Sequence, residues 1–141
     1  MANLSNSSLR IDPLTGTTYR VTAKVTVQFT TREQSMINSG VARAALPIQL
    51  KSNLWGYDGD DRGREGLDDS LLLFPTQNIT RSGTYTFSTN VSSRILNEDI
   101  GLRDQDEIYN AFTLVSRDPT FIPSRTLNSP IVRGFYGSSA V

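Results

Sequence analysis

The chain has 141 residues, with fourteen basic and fourteen acidic side chains, no histidine and no cysteine. A chain of this length supports one hydrophobic core and buries about two-thirds of its unfolded surface. The missing residue types exclude disulfides, zinc sites built on His or Cys, the Ser-His-Asp and Cys-His triads and an imidazole general base, so the chain is not expected to be an enzyme.

Residues 1–8 are small and polar and predict an arm, flexible or docked on a partner, ahead of one domain over 9–141. Met1 to Arg20 carry neither a long apolar run nor a basic start. With no apolar run long enough to span a bilayer either, this predicts a cytoplasmic protein, one released by lysis, or the mature form of an exported one. From Tyr19 to Phe29 the odd positions are Tyr, Val, Ala, Val, Val and Phe, and the even positions are polar. That period of two predicts a long strand with one wet face.

Residues 31–40 have too few apolar positions for an amphipathic helix and predict a loop with one turn, Thr31 as cap and Gly40 as stop. Leu46, Ile48 and Leu50 alternate with polar residues, with Pro47 suited to an edge or bulge, and Trp55 and Tyr57 extend the strand. Ser70 to Phe74 forms a short apolar run, and Tyr85, Phe87 and Val91 resume the two-residue period. Ile108 to Val115 and Ile131 to Tyr136 supply further strands, with weaker candidates near Leu9 and Val41. About seven or eight strands without a long helix predict an all-β, antiparallel β-sandwich of Ig-like, C2-like or jelly-roll type. The proline-bearing tail 118–141 favours extended chain that docks its apolar residues.

Charge is strongly sorted. Eleven of the fourteen acids fall within 58–69 and 97–107, against Arg62, Arg64 and Arg103, which leaves those windows at minus eight and the remainder at plus eight. Such carboxylate density needs water, arginine or a cation to offset repulsion. Calcium takes six to eight oxygens, and Asp58, Asp60, Asp68, Asp69, Asp99, Asp104, Asp106 and Glu107 are the candidate ligands. An EF-hand fails: counting from Asp58, Arg62 holds the fifth place and Asp69 the twelfth, and the flanks read as strands. Trp55 to Leu71 instead resembles the C2 pattern of a hydrophobic strand, an Asp-x-Asp and a later acidic pair, which implies calcium loops at one tip of a sandwich.

Twelve of the fourteen bases are arginine, which favours bidentate carboxylate pairs over a diffuse basic coat. The expectation is therefore a structural or interaction module, such as a fibre or shell subunit. It would form a homo-oligomer or dock a protein partner through the acidic segments, with Ca2+ as support. Trp55, Tyr57, Arg62 and Arg64 are the candidate contact residues. The alternative is a Ca2+-assisted domain that binds carbohydrate or a membrane surface, with Trp55 and Tyr57 stacking on a sugar; closure of the core end is the competing role for Trp55, and core positions are expected for Tyr109 and Phe112. Carboxylate pairs such as Asp58 and Glu107 lack the apolar setting that glycoside hydrolysis needs. The arginines outside the acidic windows are too scattered for a nucleic-acid footprint.

Overall fold

A computed structural model of the chain describes residues 2–40, 46–57, 69–96, 106–134 and 136. Among them nine strands form two antiparallel sheets, the expected sandwich. Chain order is β1 (Asn3–Pro13), β2 (Thr18–Gln28), α1 (Thr31–Ser39), β3 (Ile48–Gly56), β4 (Asp69–Leu73), β5 (Gln77–Ile79), β6 (Gly83–Ser92), α2 (Ser93–Leu96), β7 (Asp106–Ser116), β8 (Arg125–Asn128) and β9 (Val132–Gly134). The smaller sheet runs β1-β2-β6, and the larger runs β4-β3-β7-β8, with β5 beside β3 and β9 beside β7. The candidate strand near Val41 lies outside the described residues.

The periodicity of β2 is realised as read: Val21, Ala23, Val25 and Val27 are fully buried while Arg20, Lys24 and Gln28 face water. They meet Ile48, Leu50 and Leu54 of β3 and Ile108, Phe112 and Leu114 of β7 in one core, each buried side chain worth about 1.5–3 kcal/mol relative to exposure. Phe87 of β6 crosses the gap between the sheets, its ring 6.2 Å from Phe112 and 5.9 Å from Phe74. Asn110, also fully buried, donates from Nδ2 to Ser52 Oγ at 2.8 Å and from its N–H to Ser129 Oγ at 2.9 Å. Its Oδ1 has no hydrogen-bond partner among the described residues.

Three local readings are corrected. Residues 3–8 are strand rather than arm, and Ala2 and Leu4 join the core. A register shift between Ser5 and Ser8, with Asn6 at φ 51°, passes the inward positions from Leu4 to Leu9 and Ile11. One extra residue in a ladder swaps the faces of everything beyond it.

Residues 31–39 form a full helix. Its cap is Thr30, whose Oγ1 accepts from the Glu33 N–H at 3.1 Å while Glu33 Oε1 accepts from the Thr30 N–H at 2.8 Å. That capping box supplies the start that a thin apolar face could not, and Gly40 ends the helix at φ 81°, a conformation open to glycine. Pro47 falls just before β3, so it takes no place in the ladder of that central strand.

The third correction concerns parity in β3, where Leu54 rather than Trp55 enters the core. Ile48, Leu50, Ser52, Leu54 and Gly56 point inward, which puts Trp55 on the outer face, half-buried. None of the described helices is long and apolar enough to cross a membrane.

Candidate functional site

Both acid-rich segments are rooted at one end of the larger sheet. The first leaves after Gly56–Tyr57 and re-enters at Asp69, whose Cα partner in the ladder is Gly56 itself. The second returns at Asp106, and Gly56 also partners Ile108 on its other side. Tyr57 N–H donates to Glu107 O at 2.7 Å, which ties the exit of one segment to the return of the other. The second segment departs from α2, which packs against β4 and β6.

Of the candidate ligands, Asp58, Asp60, Asp68, Asp99 and Asp104 lie outside the described residues, as do Arg62 and Arg64. Asp69 is placed by its backbone, as the first residue of β4. Asp106 and Glu107 are placed in full, and each has a protein partner. Asp106 is 1% exposed, and its Oδ2 accepts from the Tyr136 N–H at 3.2 Å. Glu107 Oε2 pairs with Arg133 Nε at 3.1 Å, on the outer face. Among the described residues no group of three or more His, Cys, Asp or Glu side chains could hold a metal ion.

Asp106 thus anchors the tail. Tyr136 is buried, with its ring edge-on to Tyr19 at 5.3 Å. Burial pushes its hydroxyl above the usual value of 10, and the negative charge of Asp106 adds to the effect. Gly134 leaves the ring room, since a Cβ there would stand 2.7 Å from the Tyr136 ring carbon Cζ. Ile122 also enters the core, so the described part of the tail docks on its own domain through Ile122 and Tyr136.

A second feature of this end comes from the outward parity of Trp55. Trp55 and Tyr109 are Cα partners in the β3–β7 ladder and share the outer face. Tyr109, expected in the core, is half-buried there, while Phe112 takes the core position. The rings of Tyr57 and Tyr109 stand 6.4 Å apart, edge to face. They line a cavity of about 230 Å³ with Asn128, Ser129 and Ile131. Asn128 and Ser129 escaped sequence reasoning because they adjoin the aromatics only through the β7–β8 pairing, Ala111 with Asn128.

No family model matches the chain, and no curated protein matches it. Among solved structures it is similar to a Bordetella pertussis protein assigned as ApaA, at 11% identity and a TM-score of 0.39, over 96% of this chain and 93% of that one. It is also similar to β-glucosidase 3B from Thermotoga neapolitana, at 8% identity and a TM-score of 0.38; 96% of this chain is covered but only 17% of the enzyme. Likeness at this level carries no inference about activity.

Proposed function

We propose that the chain is a non-catalytic interaction module that docks through its acid-rich end, onto copies of itself or onto an arginine-bearing protein. The observation that supports this is the shared rooting of both acidic segments, through Gly56, Asp69 and Ile108 in adjacent strands. Rooting them together concentrates negative charge at one end, and charge-assisted contacts to arginine become the favoured way to offset it. A complementary surface is available on the same molecule, because Arg20 and Lys24 are exposed on the outer face of the smaller sheet, beside the Arg10–Asp12 pair. A head-to-tail contact of acidic end to basic face is heterologous and extends into rings or filaments.

The test is light scattering across a salt series. Larger species are expected at low salt and should dissolve at about 0.5 M salt, where the screening length is near 4 Å. The variant Asp58→Lys with Asp60→Lys should show no salt-dependent species, only those that the wild type shows at about 0.5 M salt. A wild-type monomer at every concentration in low salt would refute self-docking. Calcium is the cation suited to the carboxylate inventory, and melting with calcium against excess chelator checks it. Stability should rise by about 2.7 kcal/mol at a hundredfold excess over the dissociation constant. An unchanged melting temperature removes calcium from the proposal.

A second reading rests on the aromatic rings. Tyr57 and Tyr109 beside a small cavity, with Trp55 and the amide of Asn128 close in the ladder, suit a carbohydrate, whose apolar face stacks on rings and whose hydroxyls bond to amides. A glycan screen in the presence of calcium tests it. A hit that survives Trp55→Ala and Tyr109→Ala together would refute this site. Binding to anionic vesicles, with glycans blank, would favour a membrane surface instead.

A further inference from the structure

The smaller sheet ends in an edge that nothing closes among the described residues. β6 pairs with β2 over ten consecutive residues, from Val27 with Gly83 to Thr18 with Ser92, without a bulge. Thr86 O accepts from the Gln77 side chain at 2.9 Å, away from β2, whereas the Ser93 N–H donates to Thr17 O at 2.7 Å, on the β2 side. The N–H and C=O of one strand residue point the same way and alternate along the strand. Thr84, Thr86, Ser88 and Asn90 therefore direct their backbone groups outward, and all four residues are exposed. The Gln77 amide, on a flexible side chain, covers one of those groups.

Natural edges are blunted by charge, proline, bulges or shortness. β1 has the register shift near Ser5, then Arg10, Asp12 and Pro13, and it is closed by β8 through Ser7 Oγ to Asn128 O at 3.0 Å. β4, β5, β8 and β9 have five, three, four and three residues. The β6 sequence, GTYTFSTNVS, has no charge and no proline. It is the one long strand edge among the described residues without such protection.

We propose that β6 pairs antiparallel with β6 of a second copy about a twofold axis, which joins two three-stranded sheets into one of six strands. A second copy suits this edge for three reasons. It brings a strand already ordered, whereas a free peptide would lose its chain entropy on binding. Uncharged strands meet without like-charge repulsion. Arg81 and Arg94 stand two residues beyond the two ends of β6, outside the ladder. Arg20 and Lys24 on β2 would face their counterparts across three strand spacings of about 4.8 Å, or about 14 Å, beyond the screening length of about 8 Å at physiological salt. The outer rows would also continue a pairing that β2 and β6 already use, with Thr26 and Thr84 hydroxyls 3.1 Å apart and Thr22 and Ser88 hydroxyls 3.4 Å apart. Because the twofold contact uses the edge on both sides, it closes at two.

This contact is independent of the acidic end, and conditions can separate them. Sedimentation at about 0.5 M salt with chelator suppresses charge docking and should still show a dimer. Ser88→Pro removes an outward N–H that β2 does not use, and Thr86→Lys with Ser88→Lys charges the edge without touching the inward face. Both variants should be monomers over the whole concentration range that dimerises the wild type, with wild-type strand content by circular dichroism. Should the proline variant misfold, the lysine variant decides. A wild-type monomer up to about 1 mM, an affinity too weak to matter, would overturn the proposal. A dimer that survives the lysine variant would do the same, as would a monomer that captures a free peptide of residues 83–92.

Discussion

Glu33 and Asp106 are both carboxylates inside the molecule, and each accepts a backbone N–H from a segment near one end of the chain. Glu33 Oε2 takes Ala2 N–H at 3.1 Å, and Asp106 Oδ2 takes Tyr136 N–H at 3.2 Å. Their settings differ. Glu33 belongs to a short helix on the rim, 8% exposed, and spends its other oxygen on its own cap. Asp106 is 1% exposed at the start of β7, a strand held by β3 on one side and by β8 and β9 on the other. A carboxylate inside a sheet has fewer routes to water than one on a rim helix, so the same removal should cost more.

Asp106→Ala should therefore be the most damaging of these changes, lowering stability by about 3 kcal/mol, near the top for hydrogen bonds to charged groups. Denaturant unfolding measures the loss, and limited proteolysis should show the tail cut first. Asp106→Asn keeps an acceptor and should lose less. Next comes Gly134→Ala, at about 2 kcal/mol from overpacking against Tyr136. Adding Tyr136→Ala should then cost far less than it does alone, because the two share one contact. Glu33→Ala should lose about 1–2 kcal/mol, mainly through the cap, with helix signal falling while the sandwich persists. If it proves as costly as Asp106→Ala, the contrast between rim and sheet is wrong.

The smallest effects are in pH. Tyr136 has its pKa raised in the folded state, so it stabilises fully below the unfolded value near 10, and that contribution is lost as pH rises toward the folded value. Alkaline unfolding should begin above about pH 10 in the wild type and be shallower in Tyr136→Phe. Asp118 is the opposite case: the Thr120 hydroxyl and N–H on its carboxylate hold its pKa below the usual 3.8. Its contribution is present above that value and lost as pH falls through the folded pKa, and Thr120→Ala should flatten this acid limb of a stability titration.

The same pair illustrates what sequence patterns reveal. Glu33 was legible in principle, since Thr30-x-x-Glu33 is a capping box, yet a scarcity of apolar neighbours drew attention away from it. Asp106 was not legible, because its partner lies 30 residues onward and its acidic neighbours made it look like a metal ligand. β2 and β6 could be read because their alternation is unbroken over their full lengths. β1 could not, because its parity changes at Ser5–Ser8. Leu54 and Trp55 are adjacent apolar residues, and only the continuing ladder decides which one faces inward. Of the candidate site, the sequence located the acidic segments and the aromatic pair of Trp55 and Tyr57. Tyr109, Asn128 and Ser129 reach that end by pairings between distant strands, which no local pattern encodes.

The seam between β1 and β8 has a consequence for how the molecule forms. Ser7 meets Asn128 and Arg125 meets Ala2, contacts that span 121 and 123 residues. β1 is thus made long before its partner across the sandwich, and loops of that size are slow to close. During synthesis β1 and β2 can pair as a hairpin, but the bonds of Ser7 and Ala2 to β8 wait until residues 125–128 are made. The sandwich should thus form in one late, cooperative closure rather than by stepwise accretion.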